Sequence, residues 1–293
     1  MFNVLKANNA PHRTVFLSIF PAIALWRSNM KKLLRQMIIG TSLEPLARKV
    51  HAAFTRERGA AHMSNLEETN RLYDVQTIAI MKRILQEDSN CVDVGCYQGS
   101  ILREILRLAP KGTHFAFEPL PRMYQGLREA FGSLTALHLY DYALSDTTGT
   151  TTFQHVVSNP AYSGLRERRY DRPHEQIQEI VVKTNLLDNL IPKHIAIQFI
   201  KVDAEGAELQ VFKGAIETIK NSRPIIVFEH GLGAADYYGT SPESIYDLLV
   251  VQCGLKLFLM AEWLESNGRV SLSREAFGEQ FSSGNNYYFM AAP

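Results

Sequence analysis

The sequence is short of cysteine, of long apolar runs and of any excess of one charge, and each shortage excludes something. Its three cysteines, Cys91, Cys96 and Cys253, show neither C-x2-C pairing nor the density of a disulfide scaffold. Free thiols in a reducing compartment, and hence a cytoplasmic protein, are expected. A bridge between Cys91 and Cys96 would need a geometry that spacing alone does not supply. With 31 Lys and Arg against 30 Asp and Glu, the formal net charge is +1, which supplies no field to attract nucleic acid or an acidic polymer. A small molecule or glycan suits the chain better as partner.

Val15–Trp26 is an apolar run of 12 residues, short of the about 20 that a membrane span needs. Pro21 interrupts it, and no small-x-small pattern follows Trp26, as a secretory signal would require. Arg13, Arg27, Lys31 and Lys32 flank it. It reads as a poorly ordered or surface-packed extension, with weak contact of residues 15–26 to an anionic membrane surface as the alternative. Oligomeric state leaves no trace in the sequence.

What is present begins with enough apolar residues, 46% of the chain, to bury a substantial core. Residues 1–62 read as an extension, partly helical over Met30–Arg58 or disordered, and 63–293 as one α/β domain. Ser64 and Glu67 have capping-box spacing ahead of a helix through Leu72, Val75, Ile78 and Leu85. From Cys91 onward short apolar runs alternate with amphipathic stretches, the pattern of βαβ units around a parallel sheet. Strands are expected near 91–94, 113–117, 135–140, 196–202, 224–229, 255–260 and 286–291, with helices near 99–108, 121–131, 206–220 and 242–252. Residues 145–195 interrupt this rhythm. They read as a short β-excursion and a solvated loop bearing the charged run Arg166–Arg172, or as a cover for a substrate.

Cys91-Val92-Asp93-Val94-Gly95-Cys96-Tyr97-Gln98-Gly99-Ser100 places a buried strand directly before a glycine-bearing turn and a helix. Gly95 can take positive φ and let backbone approach a ligand, while Gly99 lets the helix lie close to the strand. The spacing D-x-G-x-x-x-G lacks the middle glycine that nicotinamide and flavin sites use for a pyrophosphate. S-adenosylmethionine has no pyrophosphate and suits such a turn, with Asp93 holding either the turn or the cofactor's ammonium. Cys96 and Ser100 belong to the same turn. The next strand ends in Glu118-Pro119, putting a carboxylate where a ribose diol needs an acceptor. Asp141 and Ala143, at the third strand end, are candidates for the adenine contact, although Asp and Ser are also ordinary turn formers.

The fourth strand delivers Asp203, Glu205 and Glu208 within six residues, and the fifth delivers Glu229 and His230. Glu208 is explained by its place early in a helix; Asp203 and Glu205 are less so. The chain resembles the FkbM family of methyltransferases through Val92-Asp93-Val94-Gly95, Phe117-Glu118-Pro119, Ala143-Leu144-Ser145-Asp146 and Ile200-Lys201-Val202-Asp203-Ala204-Glu205-Gly206-Ala207-Glu208. Lys213-Gly214-Ala215, Phe228-Glu229-His230 and Asn285-Asn286-Tyr287 continue the match. The resemblance implies a class I methyltransferase fold, Rossmann-like and doubly wound on a mostly parallel seven-stranded sheet. It also implies S-adenosyl-L-methionine as donor and O-methylation of a hydroxyl on a sugar, polyketide or related metabolite. Cys96-Tyr97-Gln98 departs from the family's usual small or Asn-containing turn, and Tyr97 is expected to reshape the methionine pocket. His230 is the first candidate base, its ordinary pKa of about 6.5 suiting neutral pH, with Asp203 or Glu205 as alternatives. A divalent cation on Asp203, Glu205 and Glu229 is the lesser reading. A non-catalytic adenosyl-binding module is the competing class of function.

Overall fold

Cys91–Val94 (β1), His114–Phe117 (β2) and Phe199–Val202 (β7) are four-residue strands with every side chain buried. Central parallel strands covered by helices on both faces require this pattern. The computed structural model describes residues 66–170, 172 and 174–293. The expectations for Val15–Trp26, for Met30–Arg58 and for the cap at Ser64 lie outside the described residues. Helix α1, residues 66–84, precedes β1. Ser100–Leu108 (α2) and Pro121–Phe131 (α3) connect β1, β2 and Leu137–Tyr140 (β3).

A meandering insertion follows, made of Tyr142–Leu144 (β4), Gly149–Val156 (β5), Ile177–Asn185 (β6) and the short helix Leu187–Leu190 (α4). After β7 come Glu208–Lys213 (α5), Ile216–Ser222 (α6) and Ile225–Glu229 (β8). The chain closes with Pro242–Tyr246 (α7), Lys256–Phe258 (β9), Met260–Ser266 (α8), Arg274–Ser283 (α9) and Tyr288–Ala292 (β10).

The main sheet has seven strands in the order β3-β2-β1-β7-β8-β10-β9. All neighbours are parallel except β10, which runs antiparallel to β8 and β9. This is the doubly wound, Rossmann-like class I methyltransferase sheet. Val94 pairs with both Phe117 and Val202, so β1, β2 and β7 end level with one another. The strand order reverses between β1 and β7, the switch point at which open α/β sheets receive ligands.

Four expectations are corrected. The helix expected over 206–220 is two helices, because a Cβ at Gly214 would lie 2.1 Å from the Ser145 carbonyl oxygen, and the chain turns there to clear that backbone. The helix expected over 242–252 starts at Pro242 under a Ser241 cap but widens into a π-turn over Asp247–Gln252. The insertion is more than a short excursion, since β5 and β6 pair along eight residues and form a second sheet, β4-β6-β5. Its charged run is not merely solvated. The Arg166 amide donates to the Tyr238 hydroxyl at 2.9 Å and the Arg169 amide to the Gly233 carbonyl at 2.8 Å.

Candidate cofactor site

At the C-terminal ends of β1, β2 and β7 lies a partly enclosed cavity of about 190 Å³. The β1 turn forms its floor. Gly95 has φ +73°, and a Cβ there would lie 1.9 Å from the Asp203 carbonyl oxygen. The close approach that demands glycine is therefore to the β7 strand end. Gly99, with φ +77°, does not permit the helix–strand contact expected of it; a Cβ there would meet Leu127 at 2.7 Å and Phe131 at 3.0 Å. It lets α2 approach α3, and it does not line the cavity.

Glu118 is 4% exposed. Its Oε2 accepts the Tyr97 amide at 2.8 Å and its Oε1 the Leu120 amide at 2.9 Å. Burial pushes its pKa up to about 7 against the pull of those amides and of Lys201. The carboxylate thus ties the β1 turn to the end of β2 and still faces the cavity. Tyr97 holds φ +50°, a left-handed conformation that is costly for a side chain of this size; the bond to Glu118 helps to hold it.

Asp93 is 1% exposed, and neither of its carboxylate oxygens has a partner at ordinary hydrogen-bond geometry, the Cys96 thiol and the Leu102 amide giving it only minor support. Burial raises its pKa, opposed chiefly by the charge of Lys201. Lys201, also buried, donates to the Gly95 carbonyl at 3.1 Å and pairs with Asp203 at 3.1 Å. Burial draws the lysine's pKa down, but Asp203 and Asp93 outweigh it and leave it raised. Asp203 also accepts the Tyr288 hydroxyl at 2.5 Å. Burial would raise its pKa, and the Lys201 charge and the Tyr288 bond turn the net direction downward.

Glu205, with φ +54°, lines the cavity and forms an ion pair with Arg168. Arg168 comes from the insertion and lies over the Tyr162 ring at 4.7 Å. Asp203, Glu205 and Glu229 bring oxygens within 4.8 Å of one another. Two of the three are already compensated, by Lys201 and by Arg168, so a cation there would have to compete with both. Burial and the charge of Asp203 push Glu229 well above the usual carboxylate range. Glu208 turns back on its own loop, its Oε1 accepting the Ala204 and Gly206 amides at 3.0 Å.

Cys96, Ser100, Pro119 and Ala143 line the cavity with Asp93, Gly95, Glu118 and Asp203. Besides Gly99, two expected residues do not. Asp141 lies outside the cavity lining and pairs with Lys183 at 2.9 Å. His230 is wholly buried between Phe277 and Phe281, with ring centroids 5.7 and 4.7 Å away and no partner for either ring nitrogen. Burial lowers its pKa to about 4. It is a core residue outside the cavity, out of reach of an acceptor there. Asp74 of α1, Lys201 and the insertion's Phe153, Ser163 and Leu165 line the cavity and were not picked out as site residues from sequence; nor was Tyr288, which holds Asp203.

Residues 93–257 match the Methyltransferase FkbM domain. The chain belongs to the FkbM methyltransferase family. It is 29% identical over 188 residues to the 2-O-methyltransferase NoeI of Sinorhizobium fredii, covering 58% of this chain and 74% of the relative. Among solved structures it is similar to methyltransferase FkbM from Methylobacillus flagellatus at 15% identity and a TM-score of 0.41, covering 59% of this chain but only 40% of that one. A SAM-dependent methyltransferase from Aquifex aeolicus is similar at 13% identity and a TM-score of 0.37, with 79% and 95% covered.

Proposed function

We infer that the protein is an S-adenosylmethionine-dependent O-methyltransferase acting on a hydroxyl of a small-molecule or glycan acceptor. The observation that carries this reading is the acidic cavity at the switch point, where Asp93 keeps two buried oxygens without a partner at ordinary hydrogen-bond geometry. Such oxygens call for a ligand with donors or positive charge. The amino-acid moiety of the donor supplies both, and Glu118 at the end of β2 is placed to accept from its ribose. When bound, this cofactor supplies an electrophilic methyl group on a sulfonium.

The chain's own residues align the acceptor and take its proton. Asp203 is a weak base, because Lys201 and Tyr288 hold its carboxylate in the ionised form. Glu205 is the better candidate. It faces the cavity, and it has one ionic partner, Arg168, where Asp203 has both Lys201 and the Tyr288 hydroxyl. The oxygen gains the methyl and Glu205 gains the proton. The 2-O-methyltransferase relative supports oxygen as the acceptor atom, and the near-neutral charge of the chain argues against nucleic acid.

Among the described residues no helix is long and apolar enough to cross a membrane. The test is conversion of adenosylmethionine to adenosylhomocysteine in the presence of hydroxylated acceptors, with Glu205→Gln beside wild type. Turnover that falls at least about a hundredfold in the variant supports the assignment. Cofactor binding without turnover on any acceptor would leave a non-catalytic adenosyl-binding module.

A further inference from the structure

Laid along the sheet edge with its amino-acid end at Asp93 and its ribose at Glu118, the donor must put its base beyond β2, towards β3. There the lining turns apolar. Leu120 at 4% exposure, Ala143 at 7% and Phe153 at 5% belong to one buried cluster, and Leu165 packs against it. All four line the cavity, and two of them, Phe153 and Leu165, come from the insertion. Phe153 lies on β5, opposite Ile180 of β6. Next to it the Gln154 amide donates to the Gly164 carbonyl at 2.8 Å and the Gly164 amide to the Gln154 carbonyl at 3.2 Å, forming an antiparallel bridge. Residues that flank such a bridge stand opposite one another on one side of the ribbon, so these two bonds set Leu165 beside Phe153.

We propose that Phe153 and Leu165 close an adenine slot against Leu120 and Ala143, which makes the insertion part of the donor site. The inference rests on the adenosylmethionine reading above. A purine is a flat ring that gains from apolar and aromatic walls. Such walls hold it without an acid at the end of β3, where Asp141 lies outside the lining. Because β5 and β6 pair along eight residues, one wall of the slot is carried by a sheet and is formed ahead of binding, which lowers the cost of ordering it. The acceptor is left to approach from the opposite end of the cavity, at Asp203 and Glu205.

The test is calorimetric titration of the full chain with adenosylmethionine, with adenosylhomocysteine, and with S-ribosylhomocysteine, which is adenosylhomocysteine without its adenine. Wild type should bind adenosylhomocysteine at least about a hundredfold more tightly than S-ribosylhomocysteine. Phe153→Ala should weaken both adenosyl ligands about tenfold, and Leu165→Asn about threefold or more. Leu165 is half-buried, so its variant carries the test if Phe153→Ala does not fold. Val181→Ala, at a position 71% exposed on β6 of the same sheet, is the control and should bind as wild type does. Adenosyl ligands that bind the folded Phe153 and Leu165 variants as tightly as wild type overturn the proposal and leave the cofactor reading intact. An equal loss in Val181→Ala also overturns it, because the sheet as a whole, and not contact with the base, would then decide. Failure of wild type to bind either adenosyl ligand overturns both.

Discussion

Gly95→Ala should damage the protein far more than the loss of one glycine suggests, and the structure permits the damage to be estimated. The residue sits at φ +73°, where a non-glycine residue costs about 1–2 kcal/mol. The new Cβ would lie 1.9 Å from the Asp203 carbonyl oxygen. That is a backbone atom, so no rotamer change relieves the overlap. Relief means pushing the end of β1 from the end of β7, which strains the bond from the Asp203 amide to the Val94 carbonyl at 3.1 Å. Overpacking of this kind costs about 1–3 kcal/mol, giving about 2–5 kcal/mol in all. For a domain of this size the melting temperature should fall by roughly 5–15 °C. Gly126→Ala is the matched control, because it lies within α3 with nothing inside 4 Å of its Cβ and should stabilise by about 0.5–1 kcal/mol. Thermal melts followed by far-UV circular dichroism compare the two. If Gly95→Ala melts within about 1 °C of wild type, the close approach of β1 and β7 is not as described.

His230 carries a pH dependence. Its pKa falls from 6.5 unfolded to about 4 folded, so the unfolded state binds the extra proton, and stability is lost as pH drops through that window. Between about pH 7.5 and pH 5 the loss should be on the order of 2 kcal/mol. His230→Phe keeps the stacking and should remove that share in urea titrations; an unchanged pH dependence would count against the buried, neutral ring. Lys201→Met strips the counter-charge from Asp203 and Asp93 and should destabilise by about 3–5 kcal/mol in the same assay. A loss below about 1 kcal/mol would mean that the lysine is not the central charge. Tyr288→Phe deletes one hydrogen bond to an ionised carboxylate and should cost about 1.5–3 kcal/mol, where no loss would mean that Asp203 is held by Lys201 alone.

Much of this fold was legible because its elements announce themselves locally. β1 and β2 are short, mostly apolar segments interrupted only by Asp93 and His114, and Gly95 and Glu118-Pro119 mark where they end. Asp93, Gly95 and Glu118 followed from those ends. What escaped reading depends on contacts distant in sequence. Gly99 faces Leu127 and Phe131, whose positions come from the packing of α3. Gly214 splits a helix because Ser145, from the insertion, passes beside it. The pairing of Asp141 with Lys183 appears only once β4 lies against β6. His230 follows a strand end, as catalytic residues often do, but the preceding Glu229 takes the open side and the alternation of the strand sends the histidine into the core between Phe277 and Phe281. Asp74 is one acid on an amphipathic helix ahead of the βαβ units, with no local sign of the cavity that its neighbours build. Lys201 and Tyr288 belong to strands, where period-two patterning gives the face of the sheet and not the polar partner at its end.

Calorimetric titration of the full chain with adenosylmethionine, beside a Glu118→Ala variant, asks whether the switch-point cavity is an adenosylmethionine site anchored by Glu118. Wild type should bind in the roughly micromolar range, and the variant at least about tenfold more weakly. A well-folded wild-type protein that binds no adenosylmethionine, or a Glu118→Ala variant that binds it equally well, would mean that the cavity is not an adenosylmethionine site held by Glu118.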